Sequence, residues 1–385
     1  MALDLFAVTF IDDHQRLSTM NDAGRKIILP RYADSPGQAI DSLLTLQEMD
    51  FPDVSELGST DVVVAVKSTS VAYVDLIMMT GQYQHMADPP YTPGLEYSGE
   101  VVWAGSDVDN LKPGDRVMSD FMAVGPRSKG DYQHYGGWAS YAVAPKHGLH
   151  PVPQQYDFDE ACSLLVNYET PYFALVKRAD LQPGESVLIT GASGAAGMAA
   201  VQIAKLLGAS VIVTGRSDAK LATVKAYGAD HVINTSSIEG QDGVPRFRET
   251  VKACTGGNGV DVVYDSVGGE VGQEALRSLA FGGRYVIVGW ASNVPDSGGR
   301  AAFAPDRLPT NIMQMKCLQV MGSPMAIYSQ RYPELRAAQL QQVLAWAEEG
   351  KLRPYVSHRF PLADFREAVR AKFDGDVTGS CILNP

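Results

Sequence analysis

Residues 186–197 read SVLITGASGAAG, and this stretch decides the fold. Its first five residues form an apolar, β-rich run that predicts a strand, and a turn of small residues follows. A helical pattern then runs from about residue 198 to residue 207. Gly194 lets the backbone approach a pyrophosphate, and Gly197 lets the helix pack closely on the strand. Because exposed N–H groups and the helix dipole attract phosphates, the turn predicts a dinucleotide site. Its predicted cofactor contacts are Ala192, Ser193, Gly194, Ala195, Ala196 and Gly197.

The chain beyond this turn alternates between strands and helices. Apolar runs at 210–214, 231–233, 261–265 and 284–289 are separated by helical segments such as 218–227. This alternation predicts βαβ units and a parallel sheet buried on both faces, the doubly wound α/β class. The chain up to about residue 180 reads instead as short strands broken by turns. Since 385 residues exceed one typical core, we expect two domains.

Cofactor choice depends on the end of the second strand of this unit. An NAD-dependent protein has an acid there, about 20 residues after the glycines, to bind the ribose 2′-hydroxyl. Residues 215–220 read GRSDAK instead. Arg216 and Lys220 can pair with a 2′-phosphate, and Ser217 can donate to it. Lys220 fits an exposed helix face equally well, and Asp218 fits the positive end of a helix dipole. The set predicts NADPH rather than NADH.

Charge and cysteine content exclude several classes of protein. The formal net charge of -12 argues against a surface for nucleic acid or anionic membrane. The four cysteines have no short spacing, so they indicate neither a disulfide framework nor a structural zinc site. The N-terminal sequence MALDLFAVTFIDD lacks the basic segment of a signal peptide, and no apolar run approaches the ~20 residues of a membrane helix. We expect a cytoplasmic protein that acts on a small molecule.

Several motifs together resemble one family. They are the glycine turn within 181–209, YGADHVIN at 227–234, TPGLEYSGEV at 92–101, KPGDRV at 112–117 and GGWASY at 136–141. In this order, over roughly residues 60–385, they resemble the quinone oxidoreductase branch of the medium-chain dehydrogenase/reductase superfamily. The resemblance implies a GroES-like irregular β-barrel catalytic domain around an inserted Rossmann domain. The implied boundaries are 1–166 and 318–385 for the catalytic domain and 167–317 for the NADPH-binding domain.

The resemblance also bears on metal content. Zinc-dependent relatives hold the metal with a cysteine after the first barrel strands, a histidine–glutamate pair and a second cysteine. Here residues 70–75 read SVAYVD, and Leu95-Glu96 stands in place of the pair. Without two thiolates or imidazoles a stable zinc site is not expected. The resemblance therefore implies zinc-free reduction of a quinone or C=C bond, because no Lewis acid remains to polarise an alcohol oxygen.

The family pattern implies a set of residues near the nicotinamide. They are Asn167, Thr170, Ser266, Val267, Gly289 and Trp290. Thr170 is the better candidate of the first two, and both residues also suit the cap of the following helix. Ser266 and Val267 lie at a strand end where backbone contacts are expected. Trp290 either walls the substrate pocket or packs as an ordinary aromatic. Glu169 replaces an apolar residue that is more common there, and the sequence assigns it no role.

Reduction leaves an oxyanion that must be protonated, and two tyrosines are candidates for the donor. Tyr83 comes first, because it follows Asp75 at the same interval as a tyrosine implicated in enoyl-thioester reductases of the superfamily. Those relatives usually begin this segment with asparagine, where the present chain has Ala72. Tyr73 is the second candidate. Asp75 itself is expected to hold the loop by hydrogen bonds.

Residues 120–137 are polar and contain glycine, which indicates a surface loop. Within it, the segment Arg127-Ser128-Lys129 either binds an anionic substrate or is solvated. Solvation is the usual state of cations at a protein surface. His85 is expected at the surface as well.

Three functions remain open from the sequence, besides a zinc-dependent alcohol dehydrogenase, which a finding of stoichiometric zinc would favour. The first is an NADPH-dependent, zinc-independent quinone or α,β-unsaturated carbonyl reductase. The second is an enoyl-thioester reductase of acyl chains, and the third is an NADPH-binding protein with little turnover, because binding and chemistry use different residues. By analogy with the family, we expect a homodimer formed through the edge of the nucleotide-domain sheet.

Overall fold

The structure is a computed structural model that describes residues 23–83, 85–236, 243–293 and 306–385. Residues 1–22, on which the signal-peptide expectation rests, lie outside this part. The strands are β1 (Gly24–Ile28), β2 (Thr45–Met49), β3 (Asp61–Ser70), β4 (Tyr97–Ala104), β5 (Arg116–Ser119), β6 (Tyr141–Pro145), β7 (Leu149–Pro151), β8 (Ser186–Ile189), β9 (Ser210–Gly215), β10 (His231–Asn234), β11 (Val260–Asp265), β12 (Leu279–Ile287), β13 (Gln319–Gly322), β14 (Val356–Pro361) and β15 (Ser380–Asn384).

The α-helices connect and cover these strands. They are α1 (Pro36–Gln38), α2 (Tyr73–Met79), α3 (Phe158–Ala161), α4 (Leu165–Tyr172), α5 (Ala195–Leu206), α6 (Asp218–Ala226), α7 (Arg248–Cys254), α8 (Gly269–Arg277), α9 (Thr310–Met315), α10 (Met325–Arg331), α11 (Pro333–Glu348) and α12 (Phe365–Phe373). Wider π-type turns follow α1 and α4, over Ala39–Leu43 and Phe173–Arg178. No helix in the described ranges is long and apolar enough to cross a bilayer.

One sheet is doubly wound, as the alternating pattern predicts. Its six strands are parallel and run in the order β10-β9-β8-β11-β12-β13. Val187 and Ile189 pack into the hydrophobic core on one face, and Leu188 packs into the core on the other. Burial on both faces explains why β8 is continuously apolar. The strand order reverses between β8 and β11, and ligands of such sheets bind beyond the carboxyl ends of the strands at this point.

The second sheet is mixed and belongs to the catalytic domain. Its path is β14-β15-β3-β4-β5-β7, with β6 paired to β3. The chain's tail returns to the first domain, because Ile382 of β15 pairs with Ser70 of β3. The β1–β2 hairpin also joins this domain, since Ile27 N donates to Trp138 O at 2.9 Å.

Two strand limits differ from the sequence pattern. β12 begins at Leu279 rather than at residue 284, because Leu279 pairs with Val260 before the register shifts. β13 lies beyond residue 317, at which the sequence places the end of the nucleotide domain, yet it pairs with β12. The nucleotide-domain sheet therefore extends to Gly322.

Candidate functional site

The glycine turn sits at the switch point of the parallel sheet. Helix α5 begins directly after Gly194, earlier than its predicted start near residue 198, because alanines at 195 and 196 favour helix strongly. Gly191 has φ 63°, a conformation that favours glycine. A Cβ at Gly197 would lie 2.5 Å from Gly191 O and 2.6 Å from Ala192 Cα. The predicted close packing of the helix on the turn is therefore confirmed.

Gly194 differs from Gly197 in its surroundings. A Cβ there would meet only Gly191 O, at 3.6 Å, which is ordinary van der Waals contact. Its φ of -75° is also open to any residue. The protein itself therefore has room for a side chain at this position, so the space above Gly194 is available to a ligand.

The catalytic domain closes over the same turn. Gly379 N donates to Ser193 O at 2.8 Å, just before β15 begins. Asn167, Ala195 and Gly379 line one small cleft between the two domains. A dinucleotide on the turn would thus contact both domains.

The predicted 2′-phosphate residues lie together after β9. Ser217 caps α6 by accepting from Lys220 N at 3.5 Å. The Lys220 ammonium donates to Gly375 O and, at 3.2 Å, to Val377 O. Burial lowers the pKa of Lys220, the charge of Asp376 opposes this, and Arg216 adds to the lowering. Arg216 and Lys220 are thus close enough to repel each other.

Asp218, the acidic residue of segment 215–220, is held away from Arg216 and Lys220 by a different partner. Asp218 Oδ1 accepts from Asn234 Nδ2 at 2.7 Å. The two cations therefore have no carboxylate partner within 4 Å in the described part of the chain, and they form an anion-attracting corner.

A buried carboxylate organises the strand end after β11, and sequence reasoning missed it. Asp265 accepts from Thr190 Oγ1 at 2.5 Å, from Val267 N at 3.0 Å and from the Tyr285 hydroxyl. Ser266 N donates to Thr190 Oγ1 at 3.1 Å. The amide groups of Ser266 and Val267, predicted to contact the cofactor, are therefore already committed to protein acceptors.

Two aromatic residues among the predicted site residues are partly exposed. Trp290 is 47% exposed, so it is not a packed core aromatic, and Gly289 precedes it after β12. Tyr73, at the start of α2, is 39% exposed and reaches Ala291 O with its hydroxyl at 3.5 Å. This contact spans the two domains.

Helix α4 presents the other predicted nicotinamide residues. Asn167 Nδ2 donates to Ser163 O at 2.9 Å, and Thr170 Oγ1 donates to Val166 O at 3.1 Å. Both lie inside the helix rather than at its N-cap, which is Leu164, so the capping interpretation is wrong. Their side-chain oxygens retain free acceptor capacity.

A buried ion triad lies beside α4 and gives Glu169 its role. Arg336 of α11 donates to both oxygens of Asp120 at 2.7 Å and to those of Glu169 at 2.8 and 3.0 Å. Burial raises the pKa of Glu169 to about 7, although the charge of Arg336 opposes this. Burial opposes ionisation of Asp120 too, but the hydrogen bonds and charge of Arg336 prevail and lower its pKa. The triad fixes the helix that carries Thr170.

The catalytic domain buries two more acids, Glu96 and Asp75. Glu96 Oε1 accepts from Val166 N at 2.6 Å, while Oε2 has no partner in the described structure. Burial raises the pKa of Glu96 well above its usual range. Asp75 accepts from Ala72 N at 2.8 Å and Gly94 N at 3.3 Å, which confirms its predicted role of holding the loop. Burial raises its pKa to about 7.

The expectation of a solvated loop at residues 120–137 is wrong for its first part. Phe121 is 0% exposed, Arg127 6% and Ser128 3%, because these residues pack under α2 and its following loop. Tyr83 accepts a hydrogen bond from Arg127 Nη2 at 2.5 Å. His85 is only half-exposed, with Nε2 buried. The polar composition of residues 120–137 gave no indication that these side chains are buried.

The donor set does not fit a zinc ion. In the described ranges no three His, Cys, Asp or Glu side chains are placed to hold a metal together. Leu95 is buried and apolar, and Glu96 has an amide partner. The geometry does fit a dinucleotide, because Gly197 makes the turn tight and the space over Gly194 is open.

Comparison with known proteins agrees with this architecture. The alcohol dehydrogenase GroES-like domain model matches residues 58–154, and the zinc-binding dehydrogenase model matches residues 195–340. With the two sheets, these matches define an oxidoreductase of the medium-chain dehydrogenase/reductase superfamily, a family of nicotinamide-dependent enzymes.

The chain belongs to the quinone oxidoreductase-like branch of that superfamily. It is 33% identical over 331 residues to the quinone oxidoreductase-like protein 2 homolog of Nematostella vectensis, covering 85% of this chain and 82% of that protein. A probable oxidoreductase from Mycobacterium abscessus has 32% identity and a TM-score of 0.71, with 94% and 99% of the chains covered. An NAD-dependent alcohol dehydrogenase has 28% identity and a TM-score of 0.75, with the same coverage. The resemblance and fold class inferred from the motifs are confirmed.

Proposed function

We propose that the protein transfers a hydride from NADPH to a quinone or to the C=C bond of an α,β-unsaturated carbonyl compound, without zinc. The observation that carries the cofactor choice is the corner formed by Arg216 and Lys220, with no acid at the end of β9. Guanidinium and ammonium groups there complement a 2′-phosphate. The absence of a fitting zinc donor set in the described residues, and kinship to quinone oxidoreductase-like proteins, support the substrate class.

The bound NADPH would supply the hydride, and the protein would supply binding and orientation. The turn at Gly194 and Gly197 would hold the pyrophosphate at the start of α5, where the dipole is positive. Thr170 and Asn167 would orient the nicotinamide from α4, which the Arg336 triad fixes. Trp290 and Tyr73 would exclude water from the opening of the cleft.

The test is NADPH oxidation by the purified protein with 1,4-benzoquinone, an α,β-unsaturated ketone and crotonyl-CoA offered separately. We expect turnover with the quinone or the ketone, retained in chelator and much weaker with NADH. Preference for crotonyl-CoA would favour the enoyl-thioester alternative. Tight NADPH binding without turnover would overturn the reductase proposal in favour of a binding protein, and loss of activity in chelator would overturn zinc independence.

The double variant Arg216→Ala/Lys220→Ala is expected to raise the Kd for NADPH about 100-fold. Each charge-assisted hydrogen bond to phosphate contributes roughly 1.5–3 kcal/mol, and 1.4 kcal/mol corresponds to tenfold. The Kd for NADH should change less than about threefold, since no 2′-phosphate is present. Nicotinamide fluorescence titration measures both constants. Lys205→Ala is the matched control, because Lys205 pairs with Asp230 at the far end of α5. Equal losses for NADPH and NADH would contradict the assignment.

We also propose a homodimer formed through β13. This strand has one neighbour, β12, among the described strands. Phe281 and Met315 are 78% and 75% exposed, and Gly282 N donates to Lys316 O, so the two apolar side chains lie close together. Phe281→Glu is expected to shift sedimentation velocity from dimer to monomer at micromolar concentration. A monomeric wild-type protein under the same conditions would refute the dimer.

A further inference from the structure

Arg127 is a buried arginine that has no carboxylate partner among the described residues. Its side chain is sandwiched between two rings, with the guanidinium carbon 5.2 Å from the centroid of Tyr83 and 5.1 Å from that of Phe121. Nε has no hydrogen-bond partner, and no ion pair within 4 Å joins Arg127 to the described acids. By contrast, Arg336 nearby is saturated by two carboxylates. A buried cation of this kind is costly, which indicates that its charge serves a purpose.

The hydrogen bond between Arg127 and Tyr83 has only one possible direction. A guanidinium has five N–H donors and no acceptor, so Nη2 donates and the phenolic oxygen accepts, at 2.5 Å. The phenolic proton of Tyr83 must then point away from Arg127. No group in the described structure accepts it. Among the described residues, the proton of Tyr83 is therefore uncommitted, and its oxygen lies beside a fixed positive charge.

This pair lies near the elements assigned to the nicotinamide end. The charge of Arg127 acts on Glu169, the neighbour of Thr170 on α4, and on Asp75 in α2. Tyr83 follows α2, whose first residue, Tyr73, bridges to Ala291 of the nucleotide domain. Tyr83 is half-buried and packs against the hydrophobic core that contains Phe121, so its ring is fixed while part of it is exposed. The pair thus adjoins α2 and the part of α4 that carries Glu169 and Thr170.

We propose that Arg127 is the positioning residue that makes Tyr83 the proton donor of the reaction; this inference rests on the proposed reductase function. The hydride adds to the electron-poor carbon, and the electron pair of the acceptor's double bond moves to its oxygen. The Tyr83 O–H bond then breaks, its proton goes to that oxyanion, and the phenolate left behind is stabilised by Arg127 until water reprotonates it. The acceptor is reduced by two electrons and NADPH is oxidised by two.

The first test compares Arg127→Met, Tyr83→Phe and the double variant, with an enone as acceptor. General acids contribute roughly 10²- to 10⁴-fold, so we expect Tyr83→Phe to lower kcat about 100-fold and Arg127→Met about 30-fold. KM for the enone and Kd for NADPH should change less than about threefold. Because Arg127 acts through Tyr83, the double variant should be no slower than Tyr83→Phe alone. Multiplicative losses in the double variant would overturn the proposal.

The second test changes the acceptor instead of the acid. A tetrachlorinated benzoquinone yields a weakly basic oxyanion that needs little help from an acid, so both single variants should reduce it at rates within about threefold of wild type. Losses as large as those with the enone would overturn the proposal, since they would indicate disrupted structure. Arg127→Lys keeps the charge and should recover much of the rate that Arg127→Met loses.

A matched control separates burial from function. Arg116 also stacks on a ring, 4.8 Å from the centroid of Phe158, and donates to Tyr156 O at 2.6 Å, away from the cleft. Arg116→Met should leave kcat for the enone unchanged, and a loss equal to that of Arg127→Met would overturn the proposal. Wild-type protein inactive with both acceptors would refute the reductase function itself. Active wild type with a fully active Arg127→Met variant would refute only the role of Arg127.

Discussion

Replacement of Arg336 by methionine is expected to destabilise the protein by about 3–5 kcal/mol, because it leaves two buried carboxyl groups without their cation. The side chains of Glu169 and Asp120 are 0% and 7% exposed, so water cannot replace the four lost hydrogen bonds. For a structure of this size the melting midpoint should fall by roughly 10 °C. Thermal unfolding followed by circular dichroism measures it.

Two comparison variants show whether the loss comes from uncompensated charge. Arg353→Met removes an ion pair with Glu160 whose arginine is 68% exposed, so its melting midpoint should change little. The triple variant Asp120→Asn/Glu169→Gln/Arg336→Met leaves no charge in the triad and should regain most of the loss. A midpoint for Arg336→Met within about 2 °C of wild type would contradict the prediction.

The loss should also depend on pH in a definite direction. Without Arg336, the folded-state pKa of both carboxyls rises, because burial then loses the cation that chiefly opposes it. A group with a raised pKa loses stability as pH rises above its unfolded pKa. The difference between Arg336→Met and wild type should therefore be larger at pH 8 than at pH 6. A difference that shrinks with rising pH would mean that the carboxyls are not its source.

The glycine turn and the parallel sheet could be predicted because their signals are local. β8, the turn and α5 are contiguous, and each strand buries both faces, so an apolar run identifies it. The anion-attracting corner could be predicted for the same reason, since Arg216 and Lys220 are only four residues apart in the sequence. Family motifs supplied the second domain, whose short strands carry a weak pattern by themselves.

The triad and the buried arginine were not predictable in the same way. Arg336 joins partners 167 and 216 residues away in the chain, and no periodicity reports such a pairing. Arg127 lies in a segment whose polar composition is typical of exposed loops, yet aromatic rings cover it on both sides. Polar composition predicts exposure only on average. A polar side chain can be buried when other residues supply its hydrogen-bond partners, and composition does not show which residues those are. The sequence did flag Glu169 as unusual, which was the one usable signal.

The replacement of Gly197 by alanine is expected to remove most NADPH binding and to lower stability. Its Cβ would meet backbone atoms at 2.5, 2.6 and 2.8 Å, from Gly191 and Ala192, and backbone cannot move aside as a flexible side chain can. Either α5 or the turn must shift, which costs about 1–3 kcal/mol. Since phosphate binding needs the amides of the turn and the start of α5 in register, we expect the Kd for NADPH to rise more than about tenfold.

Gly194→Ala separates the two reasons for glycine in this turn. The protein leaves room for that methyl group, and the φ of Gly194 suits alanine, so the melting midpoint should change only slightly, by the few tenths of a kcal/mol of a weaker N-cap. The methyl group would nevertheless occupy the space through which a pyrophosphate approaches the backbone. NADPH affinity should therefore fall about tenfold while stability is kept. If Gly194→Ala binds NADPH as wild type does, the cofactor does not lie over this turn, because nothing else in the described part of the protein requires glycine there.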